Sequence, residues 1–362
     1  MDASHFQFGP RISDKGVDFS LWGPHHASVS LVINECAPLQ MRAEDGWHRF
    51  ALASAPAGTR YRFELPDGLR VPDPASRFQP EDVHGASEII DPQDYRWGTP
   101  AWRGRPWHET VLYELHIGSF TPEGTFSAAV AHLDYLADLG VTAIEIMPVA
   151  DFPGTRNWGY DGVLLYAPDS SYGTPSDFKA LIDAAHARGI MVFLDVVYNH
   201  FGPDGNYLPL YSPIFTERHE TPWGAAVNYD AEGSKVVREF VIQNAIYWVD
   251  EFRLDGLRLD AVHAIKDDGA RHVLDELSER VRAAAPDRFI HLLLENEENA
   301  ATPLARREDG APRHFTAQWN DDVHHVLHTA RLGKRPVIMR TMPATLTDSD
   351  GRWRRVLLIK AT

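Results

Sequence analysis

The sequence predicts an α/β protein with a small antiparallel β domain followed by a larger unit of alternating strands and helices. Residues 1–92 contain short segments, such as Val17–Trp22, that alternate apolar and polar residues and are separated by glycine turns. From Val111 onward, apolar runs of strand length alternate with amphipathic helical patterns, which is typical of a parallel sheet. We therefore predict an immunoglobulin-like β-sandwich, a linker at 93–110 rich in Pro, Gly and Trp, and a (β/α)8 TIM barrel that is incomplete at its C-terminus.

The strands and helices of the second unit, 111–330, can be placed in order. Six strands are predicted at Val111–Ile117, Val141–Met147, Ile190–Val197, Leu254–Asp260, Phe289–Leu294 and His314–Trp319. Helices are predicted at 126–139, 176–188, 234–252 and 270–285, with a loop-rich insert at 201–229. Thr174-Pro175 has the pattern of an N-cap followed by a first-turn proline, and Gly189 ends the same helix.

The segment 331–362 differs from the rest of the chain. It carries eight Lys or Arg and two Asp, a net charge of +6 within a chain of net charge -16. Only Val356–Ile359 resembles a strand, and six strands cannot close an eight-stranded barrel. We therefore expect a truncation after the sixth strand, with a reading frame lost near Ala330. Such a remnant would expose two sheet edges and be poorly stable.

Composition excludes several classes of partner. The net charge of -16 argues against nucleic acid and against an anionic membrane. No apolar run is long enough to span a bilayer, and no signal-peptide pattern is visible at the N-terminus. Cys36 is the single cysteine, which fits a reducing compartment. A cytoplasmic location is expected.

Two carboxylates stand where predicted strands end. Asp260 ends Gly256-Leu257-Arg258-Leu259-Asp260, where Arg258 favours its ionised form, as a nucleophile requires. Glu295 follows the apolar run Leu292–Leu294, where burial would raise its pKa and suit it to donate a proton. A structural ion pair for Asp260 and an N-cap role for Glu295 are the alternatives. In a parallel barrel both side chains would reach the rim where active sites lie, and together they suit glycosidic bond cleavage.

Further polar and aromatic residues follow other strands. Asp195 and His200 would hydrogen-bond sugar hydroxyls, with a metal role for Asp195 and Asn199 as the weaker alternative. Trp158 and Tyr160 offer aromatic faces for a pyranose ring, or else plug the top of the barrel. Sugar binding is also expected of a polar run after the sixth strand, for which zinc is a less favoured reading. That run comprises Asn320, Asp321, Asp322 and His324.

These motifs together resemble the α-amylase clan of retaining glycosidases, glycoside hydrolase family 13. Asp195–His200, Gly256–His263 and Glu295 match its first three motifs in order. Finer features, including Tyr113–Phe126 and Arg156–Gly162, are similar to the maltooligosyltrehalose trehalohydrolase family over about residues 5–330. The resemblance implies hydrolysis of the α-1,4 bond beside the terminal trehalose of maltooligosyl trehalose. It further implies Asp260 as nucleophile and Glu295 as general acid and base, with no cofactor and no metal.

The resemblance also assigns substrate-binding roles to Arg258, His200, Tyr160, His263 and the run Asn320–His324. The clan's fourth motif, with an Asn-His-Asp core, is not found after Asp322. The chain as written is therefore expected to have little or no activity. A 1,4-α-glucan branching enzyme, a non-catalytic glucan-binding remnant and an unfolded product remain the alternatives.

Overall fold

A computed structural model of the chain describes residues 6–298, 300–320 and 358–360. The N-terminal region forms two antiparallel sheets, of order β1-β2-β6-β5 and β4-β3-β7-β8, with β9 added to β7. The strands are β1 (Arg11–Ser13), β2 (Gly16–Trp22), β3 (Ser30–Ile33), β4 (Leu39–Gln40), β5 (Arg42–Glu44), β6 (Trp47–Leu52), β7 (Arg60–Glu64), β8 (Arg70–Val71) and β9 (Ser87–Glu88). Alternate residues of these strands, such as Phe19, Leu31 and Phe63, are buried between the sheets. The predicted β-sandwich is confirmed.

The second region is built on a parallel sheet of order β19-β18-β17-β14-β11-β10-β20. The remaining strands are β10 (Leu112–Leu115), β11 (Ala143–Ile146), β12 (Ala150–Asp151), β13 (Leu164–Pro168), β14 (Met191–Val196), β15 (Phe215–Thr221), β16 (Gly224–Val227), β17 (Gly256–Leu259), β18 (His291–Asn296), β19 (Ala317–Asn320) and β20 (Leu358–Lys360). All six predicted strands are present, and each pairs in parallel with its neighbour, so their C-terminal ends share one rim.

Helices lie between these strands along the chain. They are α1 (Ile117–Phe120), α2 (Phe126–Val130), α3 (Leu133–Asp138), α4 (Pro175–Ala187), α5 (Leu208–Tyr211), α6 (Ser234–Asp250) and α7 (Val273–Ala284). The N-terminus of α4 has the expected form, since the Thr174 side chain accepts from the Asp177 amide while the Asp177 carboxylate accepts from the Thr174 amide. Among the described residues, no helix has the length and apolar character needed to cross a membrane.

Three details differ from the sequence prediction. The single helix predicted at 126–139 is two helices, α2 and α3, because the amides of Ala131 and His132 bond three residues back and tighten the turn between them. The insert at 201–229 contains α5 and the hairpin of β15 and β16. The strand β13 was not predicted, and it pairs with β12 outside the main sheet.

The C-terminal segment contains a strand close to the strand-like stretch Val356–Ile359, and its pairing departs from the expectation of two exposed sheet edges. Leu358–Lys360 forms a seventh strand that pairs in parallel with Leu112–Glu114 of β10. The outer edge of β10 is therefore covered rather than exposed, and the sheet has seven strands instead of six. The domain limits 1–92, 93–110, 111–330 and 331–362 stay predictions.

The linker packs beneath the N-terminal ends of the barrel strands. The indole of Trp107 lies against Phe193, and that of Trp102 donates to the Asp255 carboxylate at 2.8 Å. Strands β17 and β18 meet closely here, because a Cβ at Gly256 would lie 2.3 Å from the carbonyl oxygen of His291. The closed lower end fixes the strands whose upper ends carry the polar residues.

Candidate active site

Arg258 lies at the centre of a buried cluster of carboxylates at the C-terminal rim. Its Nη1 donates to Asp195 Oδ2 at 2.7 Å and to Asp260 Oδ1 at 2.8 Å, and its Nη2 lies 3.1 Å from Glu295 Oε2. The pairing of β14 with β17 sets Arg258 directly beside Asp195, and Asp260 follows the next pair, with its amide donating to the Val196 carbonyl. One guanidinium therefore serves three carboxylates from three adjacent strands.

Asp260 follows the last residue of β17 and is held by a second donor. The amide Nδ2 of Asn199, in the loop after β14, donates to Asp260 Oδ2 and to the Asp260 carbonyl, both at 2.9 Å. Asn199 is itself buried, so its amide has a fixed position. Arg258 and Asn199 therefore supply a hydrogen-bond donor to each oxygen of the Asp260 carboxylate.

Glu295 occupies a different environment on the neighbouring strand. Its Oε2 accepts from the amide of Ala261 at 2.9 Å, and its side chain is 39% exposed, far more than that of Asp260 at 9%. Ala261 has a φ of 41°, a left-handed conformation that directs its amide toward Glu295. Burial raises the pKa of Glu295 and the charge of Asp260 raises it further, against the opposing effect of Arg258.

Asp195 lies beneath these two groups. Burial raises the pKa of Asp195 to about 7; Arg258 opposes this increase and the charge of Asp260 adds to it. The Tyr160 hydroxyl donates to Asp195 Oδ2 at 3.0 Å. Arg258 and Tyr160 both bind Asp195 Oδ2, whereas the buried Oδ1 has no hydrogen-bond partner.

His200 is fixed at both ring nitrogens. Its Nε2 lies 2.8 Å from the Tyr160 carbonyl oxygen and its Nδ1 contacts Asn199 Oδ1. Burial lowers the pKa of His200. The indole of Trp223, half exposed at the tip of the β15–β16 hairpin, stacks on the imidazole with centroids 4.6 Å apart and planes 4° apart.

The other predicted residues are less closely associated with the cluster. Trp158 is 76% exposed on the loop that carries Tyr160, so its ring is open to solvent. His263 lies after β17, with Nε2 3.8 Å from Glu297 Oε1. Asn320 is the last residue of β19. Asp321, Asp322 and His324 lie outside the described residues.

Two residues of the site were not predicted to belong to it. Asn199 was weighed only as a metal ligand, yet it binds Asp260; its position immediately before His200 in a strand-end motif was the available signal. Trp223 was assigned to a loop-rich insert. The sequence Thr221-Pro222-Trp223-Gly224, a large aromatic residue in a turn, was the signal for an exposed ring.

The cluster holds two neighbouring carboxyl groups in different settings. Asp260 accepts two charged or polar donors, whereas Glu295 is held in a setting that disfavours its ionisation. A carboxylate that attacks and a carboxylic acid that protonates a leaving oxygen are the pair needed for glycoside cleavage with retention.

Comparison with known proteins agrees with this geometry. Residues 75–209 match the family model of the α-amylase catalytic domain. The chain is 44% identical, over 91% of its length, to a malto-oligosyltrehalose trehalohydrolase of Saccharolobus solfataricus, of which it covers 58%. It is 35% identical, over 70% of its length, to a 1,4-alpha-glucan branching enzyme of Corynebacterium jeikeium, of which it covers 39%.

A solved structure of a putative alpha amylase from Salmonella typhimurium is 50% identical and superposes with a TM-score of 0.88, covering 91% of this chain and 56% of that one. The chain therefore spans somewhat more than half the length of the relatives that it matches most fully. The sequence resemblance to the α-amylase family and the predicted fold class are confirmed.

Proposed function

We propose that the site hydrolyses the α-1,4-glucosidic bond adjacent to the terminal trehalose of a maltooligosyl trehalose, releasing trehalose with retention at the anomeric carbon. The observation that carries this is the opposed setting of two neighbouring carboxyl groups, Asp260 bonded to Arg258 and Asn199, and Glu295 with a raised pKa. Similarity to proteins named malto-oligosyltrehalose trehalohydrolase supports the choice of substrate.

The proposed reaction has two steps. Asp260 attacks the anomeric carbon as Glu295 gives its proton to the departing glucosidic oxygen, so that trehalose leaves and a glycosyl ester forms on Asp260. Glu295, now ionised, then takes a proton from water, and that water attacks the anomeric carbon from the face that trehalose left, opposite Asp260, and releases the Asp260 carboxylate. The Asp260 and Glu295 carboxyl groups are predicted to lie about 5–5.5 Å apart in the substrate complex, as retention requires.

The remaining residues are assigned to substrate binding. Arg258 holds the two reacting carboxyl groups and is itself held by Asp195, and Tyr160 and His200 are proposed to line the sugar subsite at the cleaved bond. Trp158 and Trp223 offer exposed aromatic faces on which pyranose rings can stack. His263 and the run Asn320–His324 are proposed to contact the part of the substrate beyond the cleaved bond.

The first test is an assay with two substrates. The purified chain is incubated with maltooligosyl trehalose and, separately, with amylose, beside a version extended by the C-terminal segment of a curated relative. Free trehalose from the first substrate supports the proposal, and new branches from the second would favour the branching-enzyme reading. The extended version shows whether low activity of the chain reflects its length rather than its site.

A second test separates catalysis from binding. Calorimetric titration with maltooligosyl trehalose is repeated on Asp260→Ala, whose nucleophile is gone. Binding that survives in Asp260→Ala while trehalose release is lost supports the proposed role. Binding in both proteins with no turnover in any version would favour a non-catalytic glucan-binding protein.

A further inference from the structure

A buried arginine outside the active site has a donor that its protein neighbours do not satisfy. Arg77, in the N-terminal region, is 8% exposed, and its Nη2 donates to the Phe8 carbonyl at 3.0 Å. Its Nη1 is buried without a hydrogen-bond partner, and Arg77 takes part in none of the ion pairs between described residues. A buried charged group with an unmade hydrogen bond costs free energy. A ligand that reaches Nη1 would supply the missing acceptor.

The guanidinium of Arg77 is held by aromatic rings rather than by a carboxylate. Its central carbon lies 4.3 Å from the ring centroid of Tyr247 and 4.7 Å from that of Tyr166, and both rings are buried. Arg77 lowers the pKa of the buried Asp73, but that carboxylate accepts from the Tyr61 hydroxyl at 2.8 Å and forms no ion pair with the guanidinium. Aromatic faces attract a cation without neutralising it. Arg77 is therefore a fixed positive charge that can still bind an anion.

Arg77 lines a cavity between the N-terminal region and the helices α4 and α6. The cavity has a volume of about 60 Å³. A single water needs about 10–15 Å³ of such space, so the cavity can hold a group of about four or five non-hydrogen atoms. Its apolar and aromatic walls include Phe6, Ile12, Ile90, Tyr247 and Phe252.

Two further cations and one carboxylate line the same cavity. Lys179 of α4 is 3% exposed, and its ammonium contacts Glu251 Oε1 with one of three available donors. Arg11 of β1 lies 3.6 Å from Asp18, and its side chain is 35% exposed, so the cavity can be reached from solvent. With three positive side chains and one negative, the lining has a net charge of +2 in a chain of net charge -16. This lining favours an anion.

We propose that this cavity binds a phosphate group, either as the free ion or as the head of a phosphorylated sugar. Arg77 Nη1 and the Lys179 ammonium donate to the phosphate oxygens, because arginine offers directed donors to such a group and lysine a compact charge. A phosphate monoester carries a charge of about -1.5 to -2 at pH 7, which matches the lining, whereas a carboxylate would neutralise only half of it. The phosphate also supplies the acceptor that Nη1 lacks.

The position of the cavity gives a bound phosphate a structural consequence. Arg11 and Arg77 belong to the N-terminal region, Lys179 to α4 and Tyr247 to α6, and none of them is a residue of the active site. A phosphate bonded to Arg77 and Lys179 therefore joins the N-terminal region to the helices of the second region. The expected effect is on the stability of the whole chain, and it does not depend on the proposed hydrolysis.

The test measures binding and unfolding of the full chain in a phosphate-free buffer at constant ionic strength. Calorimetric titrations with sodium phosphate, glucose 6-phosphate and sodium acetate measure binding, and Tm is recorded with each compound. We expect one phosphate site, a rise in Tm of about 2 °C or more at saturation, and binding of acetate that is weaker by at least about tenfold. Binding of both phosphate compounds identifies the head of a phosphorylated sugar as a ligand, and binding of sodium phosphate alone identifies the free ion.

Variants of the lining should change the affinity for phosphate in opposite directions. Arg77→Gln removes the free donor and should weaken binding at least about tenfold, and Arg11→Gln, at the solvent side, about threefold. Glu251→Gln should tighten binding about threefold or more, because the Lys179 ammonium loses its carboxylate and the lining gains a net positive charge. Arg49→Gln is the matched control, since its guanidinium also lies over an indole ring, at 5.1 Å, but outside the cavity; it should leave the affinity unchanged.

Three results would overturn the proposal. Absence of saturable phosphate binding by the parent chain would show that water alone satisfies Arg77. Acetate binding as tight as that of phosphate would show that the cavity does not select a phosphate group. Equal weakening in Arg49→Gln and Arg77→Gln would mean that the charge of the whole chain, rather than the cavity, sets the affinity. Should Arg77→Gln fail to fold, Arg11→Gln and Glu251→Gln decide the question, because they must shift the affinity in opposite directions.

Discussion

Strand β17 has an aspartate at each end, and the two differ in how their oxygens are satisfied. At the N-terminal end, Asp255 has no exposed side-chain surface and is surrounded by donors: His186 Nε2 at 2.9 Å, Trp102 Nε1 at 2.8 Å and the Val192 amide at 2.9 Å. At the C-terminal end, Asp260 is bonded by Arg258 and Asn199 and keeps part of its side chain exposed.

The difference shows how one strand separates stability from chemistry. Asp255 binds the linker, α4, β14 and β17 to one another, and its oxygens are saturated by protein donors, so it has nothing left to offer a ligand. Asp260 is held in place but open on one side. In a parallel barrel the lower rim supports the fold and the upper rim carries the reaction.

The largest expected effect is at Asp260, at the C-terminal end of β17. Asp260→Asn keeps the shape of the side chain but removes the proposed nucleophile, so trehalose release should fall by about 10,000-fold. Thermal stability should fall less than in Asp255→Asn, because Arg258 keeps Asp195 and Glu295 as partners, although the amide can accept from only one of Arg258 and Asn199. Initial rates, measured in whichever form of the chain releases trehalose, and Tm give the two readouts. A variant that loses its fold but not its rate per folded molecule would contradict the assigned role.

At Asp255, at the N-terminal end of β17, the expected effect is on the free energy of unfolding. Asp255→Asn leaves Arg288 and the surrounding donors without their buried charge, and the free energy of unfolding should fall by about 3–5 kcal/mol. Urea unfolding followed by tryptophan fluorescence measures it. Asp268→Asn, whose side chain is 71% exposed, serves as the control and should change stability by less than about 0.5 kcal/mol. Similar losses in both variants would mean that burial of Asp255 is not the cause.

The two ends were not equally accessible to sequence reasoning. Asp260 and Glu295 could be placed at the rim because each follows a strand that its own local pattern predicts. The cap at Thr174 and the stop at Gly189 are likewise local signals, and both hold in the structure. Information of this kind lies within a few residues of the position concerned.

The donors that complete each aspartate come from distant parts of the chain. Asp255 depends on Trp102, 153 residues away, and Asp260 depends on Asn199, 61 residues away. Trp223 reaches His200 only because the β15–β16 hairpin folds over the rim. These contacts are set by the packing of strands and loops, for which the sequence has no local pattern, so they could not be predicted.

A third carboxylate lies inside the barrel between the two ends and should respond to pH. Burial raises the pKa of Glu145 from 4.5 in the unfolded chain to about 8, while Arg258 opposes the shift. Its folded pKa exceeds its unfolded value, so its contribution to stability is complete below about pH 4.5 and is lost as pH rises to 8. Glu145→Gln does not show this loss of stability, because glutamine does not ionise. The parent chain should therefore lose stability relative to Glu145→Gln by about 1.4 kcal/mol per pH unit across that window.

Chemical denaturation at pH 5, 6, 7 and 8 measures the difference between the two proteins. Glu109→Gln, on the exposed lower surface, controls for general effects of charge and should run parallel to the parent chain. If the free energies of unfolding of Glu145→Gln and of the parent chain also change in parallel with pH, then Glu145 ionises as readily in the folded chain as in the unfolded one.

The smallest expected effect comes from removing one of the hydrogen-bond donors to Asp255, the indole N–H of Trp102. Trp102→Phe keeps a ring over His186, where the indole now stacks with centroids 4.9 Å apart, but removes the N–H that bonds Asp255. A hydrogen bond to a charged group contributes about 1.5–3 kcal/mol, and the free energy of unfolding should fall by that amount. Trp97→Phe is the matched control, since Trp97 stacks on the same imidazole at 6.4 Å and should lose less than about 1 kcal/mol. Equal losses in the two variants would mean that ring packing stabilises the N-terminal end of β17. A larger loss in Trp102→Phe means that the hydrogen bond to the fully bonded Asp255 carboxylate does so, and such full bonding is what distinguishes Asp255 from Asp260.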